Sequence, residues 1–245
     1  MDLAKALDYT SFAVIEMEYK AVLKDYVYHL KALDRIRGVE YPIITELIKA
    51  TIARLDEERA SDTEDGPHLC MDASGLGAPI RDYLKQSKMF DTGSTRGKQL
   101  YPVVFTGGEA ARRDPATGNY NISKTLIIGN FLSLMQHHRF DYAPDLQALP
   151  LLEQEISSFK RHTSQSGHVG FDAEAGQHDD LICSCCIPLI IGEWQYRKQP
   201  LGPLSFSGAT KKSACPGRGG GNWFAEAAAH HGSGGGDFIG GINHR

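Results

Sequence analysis

The stretch Leu69-Cys70-Met71-Asp72-Ala73-Ser74-Gly75-Leu76-Gly77 constrains this chain more than any other. Its first residues read as a short buried strand that ends on one carboxylate, Asp72. A turn of small residues follows, and a helix begins near Pro79, where a missing N–H costs nothing. Strand, turn and helix in that order are the unit of an α/β fold. In open α/β sheets the carboxyl ends of strands are where ligands and chemistry collect. For Asp72 taken alone, capping the next helix is the plainer reading.

The segments on either side fit the same class. Ser11–Tyr19 and Tyr26–Asp34 read as strands, and Lys20–Asp25 as the turn of an antiparallel hairpin between them. Tyr41–Arg59 is the clearest helix, with Ile43, Leu47, Ile48, Thr51, Ile52 and Leu55 on one face. Pro79–Gln86 is a short helix with Ile80, Tyr83 and Leu84 facing inward. Leu100–Thr106 is a second buried strand, followed by a loop, Gly107–Asn121, that carries Arg112 and Arg113. Ile122–Gln136 and Leu146–Ser157 read as helices, with Phe140 and Tyr142 between them. Ser158–Asp172 is a basic hairpin with Lys160, Arg161, His162 and His168. Asp179–Ile191 is a strongly apolar helix in which Pro188 predicts a kink. Lys198–Arg245 is rich in Gly, Pro, Ser and Ala and has little periodic apolar content, which predicts a flexible tail after a domain over 1–197.

Composition removes several classes of function. The 245 residues are 41% hydrophobic, enough for a substantial core, and the formal net charge is −4. No global basic field advertises nucleic acid, so any such contact comes from local patches. Three of the five cysteines lie in Cys183-Ser184-Cys185-Cys186 inside an apolar run, with no His/Cys ligand spacing around them, which argues against zinc and for buried thiols in a reducing compartment. Met1–Tyr19 has no signal-peptide layout, and no apolar run approaches the ~20 residues that cross a bilayer. A cytoplasmic location without a membrane partner is expected. Gly93–Gln99 lacks the glycine spacing and the hydroxyl residue after Lys98 that a phosphate loop needs.

Three acidic positions recur at informative places: Asp2 before the first hairpin, Asp72 at a strand end, and Asp179-Asp180 at the start of a helix. Mg²⁺ and Mn²⁺ are hard ions that prefer carboxylate oxygens. Two of them ~4 Å apart activate water and stabilise the leaving oxygen in phosphodiester cleavage. That chemistry needs acids converging from separate elements. Each acid alone has a duller explanation, since Asp179 and Asp180 suit a helix N-terminus by the dipole.

The order of the motifs adds to this. Asp2-Leu3-Ala4-Lys5-Ala6-Leu7-Asp8-Tyr9-Thr10-Ser11-Phe12-Ala13-Val14-Ile15-Glu16 resembles the opening of the nuclease domain of tailed-phage terminase large subunits. So do Met71-Asp72-Ala73-Ser74-Gly75-Leu76-Gly77 with Pro79–Leu84 after it. Lys124 before a long helix, Leu152–Phe159 with Glu155, and His178-Asp179-Asp180-Leu181 follow in the same order. The resemblance spans roughly Asp2–Ile191. It implies an α/β, RNase H-like mixed sheet flanked by helices, here with its first strand truncated. It also implies endonucleolytic cutting of concatemeric double-stranded DNA in a bacterial host cell, with two Mg²⁺ or Mn²⁺ ions. Carried over by position, Asp2, Asp72 and Asp180 or Asp179 are the catalytic metal ligands. Lys124, Arg112, Arg113, Lys160 and Arg161, with Lys88, Arg96 and Lys98, would meet DNA phosphates without reading sequence. The implied partners are a terminase ATPase domain, the small terminase subunit and the portal. Two alternatives stand: another RNase H-like nuclease of resolvase or transposase type, and a non-catalytic prophage remnant or assembly module.

Overall fold

The computed structural model describes residues 1, 9–58, 66–75, 77–90, 97–107, 110–163, 169–173 and 179–197. The chain opens with a long hairpin of β1 (Tyr9–Lys20) and β2 (Asp25–Arg37), paired antiparallel as the alternation predicts. A register shift between Val14 and Ile15 lies midway along it. Such a bulge increases the local twist. α1 (Tyr41–Glu58) buries Ile44, Ile48 and Ile52, a four-residue repeat on one face. Ile43, which the helical spacing placed on that face, is 49% exposed, so the stripe is narrower than the sequence suggests.

β3 (Leu69–Asp72), α2 (Gly77–Gln86) and β4 (Leu100–Thr106) are the strand–turn–helix–strand unit that Asp72 belongs to. Next come β5 (Ala111–Arg113), β6 (Tyr120–Ser123) and α3 (Lys124–Gln136). Two expectations are corrected here. The presumed loop with Arg112 and Arg113 holds a short strand. The helix expected from Ile122 begins only at Lys124, because Ile122 and Ser123 pair with Phe105 and Thr106 of β4. Ser123 then caps α3, its Oγ accepting the Leu126 N–H at 3.2 Å. A serine at this position favours the cap over the helix interior for that reason.

β7 (Phe140–Tyr142), α4 (Leu149–Ser158), the hairpin β8 (Phe159–Thr163) and β9 (Val169–Ala173), and α5 (Asp180–Gly192) complete the order. α5 runs through Pro188 and passes into a π-helical turn, Glu193–Arg197. The strands form two mixed sheets, β1-β2-β7 and β3-β4-β6-β5, beside the separate β8-β9 pair. Among the described residues the expected class, α/β with mixed sheets flanked by helices, is what the chain adopts.

α5 holds the two sheets together. It touches β1 and β2 of one sheet, β3 of the other, and also α3 and α4. Leu181, Ile182, Cys183, Cys185, Cys186, Ile187, Leu189, Ile190 and Ile191 are all buried. A helix apolar all round belongs in the middle of a core. Its end is held tightly. A Cβ added to Gly192 would lie 2.8 Å from Cε1 of Tyr28, so only glycine lets helix and ring approach this closely. Beside it Arg139 donates to both carboxylate oxygens of Glu193, at 3.0 and 2.6 Å, and Tyr28 donates to Glu193 at 2.8 Å. Burial pushes the Glu193 carboxyl up, but hydrogen bonds from Arg139, Tyr28 and Arg197 carry it below its ordinary value.

Candidate metal centre

Asp72 is fixed by its strand on both sides. Along β4 the register runs from Leu69 opposite Leu100 to Asp72 opposite Val103. On the other side the Met1 amine donates to the Cys70 carbonyl at 3.1 Å, and the Asp72 N–H donates to the Met1 carbonyl at 3.0 Å. This is the bonding of a parallel strand, so Met1 extends the pairing past β3. Beyond Asp72 the backbone turns at once. Asp72 Oδ1 accepts the Ser74 N–H at 2.7 Å, and Gly75 takes the left-handed conformation at φ 49°. The small residues of this turn have that local cause. Burial raises the Asp72 pKa. Hydrogen bonds from Ser74 and the charges of the Met1 amine and Lys124 act in the opposite direction.

The second group stands where α5 begins. Asp179 precedes the helix and makes no side-chain capping bond. Its Oδ2 is paired with Lys124 Nζ, from the first residue of α3. Lys124 therefore acts on Asp179 by contact and on Asp72 through its charge. Asp180 lies in the first turn, 8% exposed, and its carbonyl accepts the Ser11 Oγ–H of β1 at 2.6 Å. Glu155 of α4 reaches the same turn and accepts the Ile182 N–H at 3.0 Å. Arg35 of β2 is 3.6 Å from its other oxygen. Burial first, and then the Asp180 charge, push the Glu155 carboxyl up to about 7, against the amide hydrogen bonds and Arg35.

The chain thus brings Asp72, Lys124 and Asp179 into one electrostatic neighbourhood, with Asp180 on the adjoining turn and Glu155 of α4 bonded to that turn. The donors are carboxylate oxygens, the set that suits a hard divalent ion. Among the described residues no three His, Cys, Asp or Glu side chains form a group that could hold a metal ion. Asp2, the remaining expected ligand, lies outside the described residues, as does His178.

The expected phosphate contacts are scattered. Arg112 and Arg113 are exposed on β5, at the far edge of the four-stranded sheet from β3. Three strand spacings separate those edges, roughly 14 Å. The Arg113 guanidinium lies over the Tyr120 ring, 5.6 Å from its centre. Lys98 pairs with Asp56 at 2.8 Å. Lys160 and Arg161 lie on β8, opposite Asp172 and Phe171, and Arg96 lies outside the described residues.

Ser11, Arg35 and Glu155 were not among the site residues expected from sequence. Only Glu155 had a usable signal there. It follows Leu149 and Leu152 at three-residue steps, on the face of α4 that is buried, and an acid on such a face calls for a partner.

No family model and no curated protein matches the chain. In structure the chain is similar to phage large terminase nucleases. The large terminase nuclease from thermophilic phage G20c with bound cobalt has 16% identity over 75% of this chain and 81% of that chain, at a TM-score of 0.40. With bound magnesium the same nuclease gives 16% identity, 75% and 82% coverage, and 0.40. The Thermus phage P74-26 large terminase nuclease domain gives 14% identity, 77% and 83% coverage, and a TM-score of 0.41.

Proposed function

We propose that this chain is the divalent-metal-dependent endonuclease domain of a phage or prophage DNA-packaging terminase, cutting concatemeric double-stranded DNA. The observation that supports the reading is that Lys124, paired with Asp179 at the start of α5, also bears through its charge on Asp72 at the carboxyl end of β3. Those residues come from three elements far apart in sequence. They are also the residues through which the sequence resembles terminase nucleases, in the same order.

In this reading Asp72 and Asp180 or Asp179, together with Asp2, would hold Mg²⁺ or Mn²⁺. When bound, such ions activate water and stabilise the leaving oxygen. The chain's own residues prepare that site. The Ser74 N–H and the strand pairing on both sides of β3 orient the Asp72 carboxylate. Lys124 offsets the negative charge that these acids accumulate, which favours their ionised forms. Arg112, Arg113, Lys160 and Arg161 are proposed to hold DNA phosphates, as a term that falls with salt.

Asp72→Ala is expected to abolish Mn²⁺-dependent nicking and linearisation of plasmid DNA while leaving the unfolding midpoint close to that of the parent chain. Equal cutting by the variant would remove Asp72 from the site.

A further inference from the structure

We propose that Glu155 is a positioning residue that sets the first turn of α5 and, with it, the place of Asp180. The role of Asp180 rests on the nuclease reading above; the hold of Glu155 on the helix does not.

Every α-helix begins with amides that have no carbonyl partner within the helix. In a buried helix these must be satisfied by a side chain, and the residue just before the helix is the usual source. Here that residue is Asp179, and its carboxylate is engaged by Lys124 with no capping bond. Another element supplies the cap. Glu155, 6% exposed on α4, accepts the Ile182 N–H at 3.0 Å. From the other side Ser11 Oγ donates to the Asp180 carbonyl at 2.6 Å. The first turn is therefore gripped by its carbonyl from β1 and by its amide from α4.

Arg35 completes the clasp. It is the cross-strand partner of Ser11 and stands 3.6 Å from Glu155 Oε1. That oxygen is buried and makes no hydrogen bond among the described residues. Packing alone would be better served by an apolar side chain, because an ionised buried carboxyl costs stability. A second acid beside Asp180 is costlier still. What the carboxyl adds is direction: an acceptor aimed at one amide, two residues past Asp180. Metal ligands need support to within about half an ångström, and this clasp is such support.

The test uses the full chain with Glu155→Ala, Glu155→Gln and Ser11→Ala. Amide hydrogen exchange is followed without metal, and Mn²⁺ binding by calorimetry. Glu155→Ala is expected to speed exchange at Leu181, Ile182 and Cys183 by about five- to tenfold, the size of a lost helix cap. Exchange in α1 should stay unchanged, and Mn²⁺ affinity should fall by a similar factor. Glu155→Gln keeps an oxygen for the Ile182 amide and should stay within about threefold of the parent chain in both. The proposal is overturned if Glu155→Ala exchanges like the parent, or if Gln fails to rescue. If Glu155→Ala does not fold, Ser11→Ala carries the test: faster exchange in the same turn with weaker Mn²⁺ binding supports the clasp, and parental values overturn it. If no protein binds Mn²⁺ while Glu155→Ala still loosens the turn, the nuclease reading falls and the hold of Glu155 on α5 stands.

Discussion

Two carboxylates near the candidate site are pushed up by burial, and each is met by a different device. Asp72 has backbone and side-chain hydrogen bonds from Ser74 and nearby positive charge. Glu155 has amides at a helix start, and burial together with the Asp180 charge still leaves it at about 7. The consequence for stability has a definite sign. Between its ordinary value of 4.5 and about 7, Glu155 keeps its proton in the folded state and loses it in the unfolded chain. Its contribution is full below the ordinary value and drains away as pH rises through the folded one. Glu155→Gln removes this titration. Urea unfolding at about pH 5 and pH 8 should therefore show the variant gaining on the parent chain as pH rises. A gap that is the same at both values would mean that Glu155 ionises as freely in the fold as outside it. Asp72 was legible in sequence because a strand that stops at small turn residues shows where its last side chain must lie, and Glu155 only as an acid in step with the apolar face of α4. The elevation of Glu155 depends on Asp180 and Arg35 coming near it, and residue spacing within α4 says nothing of either.

Among the elements, α5 and the π-helical turn after it show how polar groups are buried without being orphaned. Arg139 between α3 and β7, Glu193 in the turn, and Tyr28 and Asp25 in β2 form one group of hydrogen bonds and ion pairs, with Arg139 8% and Glu193 5% exposed. Breaking such a group from one side leaves the other charge buried and unmatched, which costs more than the pair contributes. Arg139→Met is expected to destabilise the fold by about 3–5 kcal/mol, seen as a lower urea midpoint at unchanged slope. A loss under about 1 kcal/mol would place the pair with ordinary surface ion pairs. This element also shows where periodicity fails. The strand β6 passes directly into the helix α3, and the boundary between them is set by pairing with β4 and by the Ser123 cap. Likewise Arg112 and Arg113 form a strand because β6 offers them an edge, which no local propensity announces.

For the whole molecule, the placement of α5 between two sheets makes one helix responsible for both. Ile187, fully buried in the main core cluster, is expected to cost about 2–5 kcal/mol when cut to alanine. Because the sheets share this helix, the loss should lower the unfolding midpoints followed by tryptophan fluorescence and by far-ultraviolet circular dichroism together. Separate midpoints would mean that the sheets melt independently. Asp179 and Asp180 of the candidate centre sit at the start of this same helix, which also packs against β3, the strand that ends on Asp72.

Local pattern alone was enough for the class of the fold, the long hairpin, the strand that ends on Asp72 and the apolar character of α5. Each of these follows from side-chain periodicity and turn chemistry, which act over a few residues. Which acids face one another, that Lys124 joins Asp179, and that Glu155 caps a helix it does not belong to were decided only by packing. Those contacts link residues 27 to 169 positions apart, and a sequence read along its length carries no term for such distances until the core has closed.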